Sequence, residues 1–355
     1  MIEVPFLNFD LKGKNLIFLI SQPRAGSTML QRILASHPLV LSSAEPWLML
    51  HPVYGTIKTG VQADYNAPWA HDALQDFLAN YTDGEETYFE AVRAFACVLY
   101  GRALQGTDKK YFLDKTPRYY FIIPQLYRLF PDARFIFLIR NPLSVLNSII
   151  NSWITNDHWH HLSDFRHDLL HAPALLLEGI NILGSKAHII RYENIVEKPE
   201  RTISSLCQSL EISYQPGMLN YGKKEAPKGR YGDIAGVNRH NEPSRDSLNS
   251  WIHLTEKQQT RHFALAYLET LGSELVEQLG YSYPDLINTI GKSISNKRSP
   301  IVPWGIAIRP SSSWTEKEYL TVKRAMAFQK KGTARGILSF IRENHRTIIR
   351  SLLPL

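Results

Sequence analysis

The 355 residues, 44% hydrophobic and 21% charged, have the composition of a folded globular protein with room for one large core. They exclude a disordered chain, and no apolar run reaches the length of a membrane span. The net charge of +7 is no argument for nucleic acid, and no such partner is expected. Residues 291–355 hold 13 Lys and Arg against 3 Asp and Glu, whereas the first 290 hold 27 against 30.

Residues 1–10 lack a basic stretch followed by an apolar core, so a cytoplasmic location is expected. The first predicted strand is Leu16–Ser21. A turn of Gln22, Pro23, Arg24, Ala25 and Gly26 follows, and Ser27 and Thr28 then open a helix. A helix start of this kind is an anion site: its backbone N–H groups lack helical partners and sit at the positive end of the dipole. Gly26 would let backbone approach the ligand, and Ser27 and Thr28 would add hydroxyl donors. The nucleotide-triphosphate loop is a different motif, because it needs Gly-Lys before the Ser or Thr. Here Arg24 is the fixed cation.

Further strands are predicted at 39–42, 111–113, 135–139 and 188–191, with helices at 86–104, 118–129 and 142–154. Continuous apolar strands such as Phe135-Ile136-Phe137-Leu138-Ile139 fit a sheet buried on both faces. The expected fold is therefore α/β: a P-loop-like three-layer arrangement with a central parallel sheet flanked by helices. Ligands of such sheets bind at the carboxyl ends of strands, where Arg24 and Arg140 fall. Cys97 and Cys207 sit in apolar helical patterns and read as reduced core thiols. Pro, Gly and Asn cluster between Tyr214 and Pro243, which predicts a long loop. Beyond Pro284 the pattern degrades, 291–313 reads as a connector, and a basic helical tail follows. The division expected is a domain at 1–290 and a tail at 291–355. In the tail Ile337, Ile341, Ile348 and Leu352 share one face beside an arginine stripe. That face fits packing on the domain first, with a peripheral membrane or a partner as the alternatives.

The Pro23-Arg24-Ala25-Gly26-Ser27-Thr28 turn resembles the 5′-phosphosulfate loop of sulfotransferases that use 3′-phosphoadenosine 5′-phosphosulfate (PAPS). Arg140, with Ser148 eight residues later, resembles the pair that holds the 3′-phosphate in that family. Glu45 in Ser43-Ala44-Glu45-Pro46-Trp47 and Lys115 in Leu113-Asp114-Lys115-Thr116-Pro117 are similar to the acidic and lysine motifs of the tyrosylprotein-type enzymes. Arg191-Tyr192-Glu193-Asn194 resembles a recurrent signature of the same group. Lys228-Gly229-Arg230-Tyr231-Gly232-Asp233 is similar to the loop that closes over the 3′-phosphate in cytosolic sulfotransferases, although Pro227 stands where an arginine is usual. A mobile Gly-rich surface loop is the equal alternative there.

The resemblance implies sulfuryl transfer from PAPS to a small-molecule or carbohydrate hydroxyl acceptor, without a metal. Glu45 would be the general base. Lys115 and Arg24 would take the charge of the leaving phosphate and sulfuryl oxygens. Arg24, Ala25, Gly26, Ser27 and Thr28 would cradle the 5′-phosphate; Arg140, Ser148, Lys228 and Gly229 would hold the 3′-phosphate. The alternatives are a kinase-like phosphotransferase and a non-catalytic nucleotide-binding scaffold acting through the basic tail. His158, His160, His161, His167 and His171 suggest a metal, but the zinc-protease pattern needs Glu after the first His. An acceptor-pocket wall, along with Trp153 and Trp159, or a solvated helix fits that segment better.

Overall fold

The computed structural model describes residues 9–61, 63–154, 162, 164–228 and 240–291. Gly229, the histidines at 158, 160 and 161, Trp159 and the tail after Gly291 therefore lie outside the described residues. The chain divides into two compact units, Met1–Val145 with Ala172–Asn249 and Leu146–His171 with Ser250–Leu355.

The first unit is built on five parallel strands: β1 (Leu16–Ser21), β2 (Val40–Ser42), β3 (Tyr111–Lys115), β4 (Arg134–Ile139) and β5 (Ala187–Arg191). Their order across the sheet is β2-β3-β1-β4-β5. The chain thus passes from β1 to the edge strand β2, returns to β3 beside β1, and then crosses to β4 and β5 on the other side. The carboxyl end of β1 lies at the point where that reversal occurs, the usual place for a ligand in such sheets. Every residue of β1 is buried, as a strand covered on both faces requires. Phe18 stacks on Phe135 at 5.4 Å between ring centroids and meets Phe130 and the edge of Tyr119.

The helices of this unit are α1 (Ser27–Ala35), α2 (Leu50–Tyr54), α3 (Ala67–Leu78), α4 (Gly84–Leu104), α5 (Ile123–Leu129), the start of α6 (Pro142–Trp153), α7 (Ala172–Leu183), α8 (Tyr192–Glu197) and α9 (Pro199–Ser209). A single helix over 118–129 is not what forms. A 3₁₀ turn at Pro117–Phe121 precedes α5, and Ile122 between them leaves helical geometry at φ −132°. Pro124 explains the break: in a continuous helix it would have no N–H to give the Tyr120 carbonyl, and its ring would crowd that carbonyl. Cys97 and Cys207 are free and buried, and burial pushes their thiols up to about 12 and about 11.

In the second unit α10 (Gln258–Leu271), α11 (Ser273–Gln278) and α12 (Tyr283–Gly291) close around Phe263, Tyr267, Val276 and Ile290. Tyr267 donates its hydroxyl to the Leu169 carbonyl at 3.1 Å. Helix α12 corrects the expectation that order fades after Pro284: proline is tolerated in a first turn, where its N–H has no helical partner. No helix among the described residues is long and apolar enough to cross a membrane.

Candidate active site

Between β1 and α1 the chain makes a tight turn closed by the Ala25 N–H on the Gln22 carbonyl at 3.2 Å. Arg24 (φ 70°) and Gly26 (φ 97°) both take left-handed backbone. For arginine that geometry costs on the order of 1 kcal/mol. Gly26 is the N-cap of α1 and brings no side chain to cap its first turn, the arrangement of an anion-binding helix start. The glycine has a second reason that its sequence context does not announce. A Cβ built there would stand 2.4 Å from Cδ2 of Tyr192, so the ring of α8's first residue fills the space a side chain would need.

Lys115, the last residue of β3, reaches toward that helix start with none of its side chain exposed. Its Nζ donates to Glu45 Oε1 at 2.7 Å and to Thr28 Oγ1 at 3.3 Å. One ammonium therefore joins a carboxylate from the segment after β2 to the first turn of α1. Glu45 is 16% exposed, and its other oxygen accepts the Trp47 indole N–H at 3.2 Å. Each carboxylate oxygen has a further lone pair.

Arg140 follows β4 directly. It donates Nη1 to the Arg24 carbonyl and Nη2 to the Ser247 carbonyl, each at 3.0 Å, and its guanidinium lies 4.0 Å from the centre of the Tyr192 ring. Tyr192 is thus clasped between Gly26 and Arg140, so the two segments predicted to hold the two phosphates share a wall. Glu193 accepts the Asn141 N–H at 2.9 Å and secures the start of α6. Arg24, Glu45, Lys115, Arg140 and Tyr192 each follow or close a different strand, so all five carboxyl ends supply the same region.

A model of the sulfotransferase family matches residues 16–216. The chain belongs to that family. Among relatives of this sulfotransferase-family chain, nodulation protein NoeE of Sinorhizobium fredii is 26% identical over 292 residues. The match takes in 74% of this chain and 65% of that protein, just under two thirds of its length. A putative protein-tyrosine sulfotransferase of Caenorhabditis briggsae is 26% identical over 214 residues, 59% of this chain and 69% of that one. The sulfotransferase domain of the Synechococcus PCC 7002 olefin synthase superposes with a TM-score of 0.47 at 19% identity, covering 75% of this chain and 94% of the domain.

The family match contains every sequence-predicted site residue except Lys228 and Gly229. Ser148 lies on α6 in the second unit, whereas Arg140 belongs to the first. Lys228 is 86% exposed and pairs with Glu225 at 3.2 Å, but its carbonyl accepts the Ala44 N–H at 3.0 Å. That bond ties the 228 segment to the residue before Glu45. His167 and His171 face each other within a π-helical turn, their Nδ1 atoms 3.2 Å apart. Burial and Arg166 lower the pKa of His171. Among the described residues no group of three or more His, Cys, Asp or Glu could hold a metal ion.

Sequence reasoning gave Tyr192 no role, and it missed Asp114 and its ring of hydroxyls. Asp114 is wholly buried beside Lys115 on β3. It accepts from Tyr100 at 2.6 Å, Thr116 at 2.8 Å and Tyr119 at 2.9 Å. Burial pushes its carboxyl up to about 6, against the pull of those three hydroxyls and the Lys115 charge. The available signal was an Asp inside an otherwise apolar stretch of buried strand, since a buried carboxylate requires partners.

Proposed function

We propose that this chain transfers the sulfuryl group of PAPS to a hydroxyl acceptor, with Glu45 as general base. The observation that carries the reading is Lys115 Nζ, within hydrogen-bond reach of both Glu45 and Thr28. That contact joins a base, a cation and an anion-binding helix start. The donor set suits a nucleotide with two separate anionic groups: backbone N–H groups at the start of α1, then Arg24, Lys115 and Arg140, with a shared aromatic wall in Tyr192. PAPS supplies an activated sulfuryl group on a phosphate leaving group.

In this reading Glu45 takes the proton of the acceptor hydroxyl as the acceptor oxygen bonds to sulfur. The bond from sulfur to the 5′-phosphate oxygen breaks, and the electron pair stays on that oxygen. Lys115 and Arg24 neutralise the charge that develops there, which is where a fixed cation lowers the barrier. Residues 25–28 orient the 5′-phosphate. Arg140 holds the 3′-phosphate, joined by Lys228 from the segment bonded to Ala44. Trp47, fixed on Glu45, forms one wall of the acceptor entry. The similarity to a protein named as a tyrosine sulfotransferase favours a hydroxyl acceptor, and phenols and saccharides are the classes to try first.

Isothermal titration of adenosine 3′,5′-bisphosphate tests the nucleotide assignment, with adenosine 5′-monophosphate as control. Wild type should bind the bisphosphate at least tenfold more tightly, roughly 1.4 kcal/mol or more. Arg140→Ala should lose most of that difference. Equal binding of the two nucleotides, or an unaffected Arg140→Ala variant, would remove PAPS as the donor.

A further inference from the structure

Glu45 lies in a segment without regular structure between β2 and α2, yet its carboxylate has to meet Lys115 accurately. Two of the bonds that secure this segment run to one buried atom group. The Trp47 N–H donates to Thr116 Oγ1 at 3.3 Å, and the Met49 N–H donates to the Tyr119 hydroxyl at 3.0 Å. Each of those hydroxyls has a single proton, which it gives to Asp114: Thr116 to Oδ1, Tyr119 to Oδ2. Tyr100, from α4, gives its proton to Oδ2 as well. The direction of every bond is thereby set. A carboxylate only accepts, so the hydroxyls must point their protons inward and their lone pairs outward, toward the backbone N–H groups of residues 47 and 49.

We propose that Asp114 is the positioning residue of the Glu45 segment: through the hydroxyls of Thr116 and Tyr119 it holds the backbone at 47 and 49, and so sets Glu45 against Lys115. Lys115 and Asp114 are consecutive on β3, so their side chains leave the strand on opposite faces. The strand therefore carries the cation on one face and the anchor of the cation's partner on the other. The charged group nearest Asp114 is Lys115 itself; the others around it are the neutral hydroxyls of Tyr100, Thr116 and Tyr119. Asparagine at 114 would keep the shape but turn one acceptor into a donor, which opposes the inward protons and frees at least one relay.

The consequence for turnover rests on the sulfuryl-transfer reading; the anchoring of the segment does not. The test uses the full chain labelled with 5-fluorotryptophan, the Trp47 fluorine signal being assigned with Trp47→Phe. Asp114→Asn and Thr116→Val should both move or broaden that signal, and Thr116→Ser should restore it. With the most active phenol or saccharide acceptor, kcat should fall on the order of 10²-fold in Asp114→Asn. The KM for PAPS and the affinity for adenosine 3′,5′-bisphosphate should stay within about twofold, the pattern of a loss confined to the transition state. Thr116→Val keeps Asp114 and guards against a failure of Asp114→Asn to fold. An unmoved Trp47 signal in both variants, or Thr116→Ser as impaired as Thr116→Val, would overturn the proposal. So would nucleotide affinity falling in step with kcat, which marks general damage. If wild type turned over no acceptor while the fluorine signal behaved as stated, the sulfuryl-transfer reading would have failed and the anchor would stand.

Discussion

Asp114 shows what a single buried carboxyl can cost and what it can organise. Its folded pKa of about 6 lies above its ordinary 3.8, so the native state holds this proton more tightly than the unfolded chain does. The group's stabilising contribution is therefore complete below about pH 4 and is lost as pH rises through about 6. Replacement by Asn should flatten the fall in unfolding free energy across that window, as read by urea unfolding at half-unit pH steps. A variant whose pH dependence there matched wild type would mean that Asp114 is not perturbed in this way. At neutral pH the carboxylate form prevails, and that is the form the hydroxyl relays require. The cost of burial is offset by three hydrogen bonds, two of which pass the constraint on to the backbone beside Glu45.

At the scale of elements, the turn from β1 into α1 bears the most constraint. Gly26 answers to φ 97° and to the Tyr192 ring at once, and Tyr192 in turn carries the Arg140 guanidinium. Gly26→Ala should destabilise the protein by about 1–3 kcal/mol, from the strained backbone and the forced shift of an aromatic ring. It should also weaken binding of adenosine 3′,5′-bisphosphate, because the wall between the two phosphate segments moves. Thermal unfolding and titration of the same preparation check this; an unchanged midpoint with unchanged affinity would contradict the account of the turn. The strands were legible in sequence to within one or two residues, because short apolar runs with turn residues at each end leave little choice. The helix over 118–129 was misread because Pro124 was not weighed as a breaker, and α12 was overlooked because the apolar pattern reads as degrading beyond Pro284. Proline's meaning depends on whether it stands inside a helix or in its first turn. The site motifs were legible where they are contiguous, as at residues 22–28. The clasp of Tyr192 and the hydroxyl ring of Asp114 were not, since both join residues far apart in sequence and only the strand order brings them together.

Across the whole first unit, the function proposed follows from one arrangement. Five parallel strands end at the same edge, and each end supplies a group: the turn of residues 22–28 from β1, Glu45 after β2, Lys115 on β3, Arg140 after β4 and Tyr192 after β5. Lys115 Nζ links the first three, at 2.7 Å from the carboxylate and 3.3 Å from the helix-start hydroxyl. Removing the carboxylate without removing its bulk isolates the chemical step from the binding step. The decisive measurement is therefore release of adenosine 3′,5′-bisphosphate from PAPS across phenol and saccharide acceptors, comparing wild type with Glu45→Gln. Wild type should form a sulfated product. Glu45→Gln should bind the bisphosphate normally and turn over about 10²–10⁴-fold more slowly. A Glu45→Gln variant that binds and turns over like wild type would contradict the assignment of the base, and a wild type that releases no bisphosphate with any acceptor would contradict sulfuryl transfer itself.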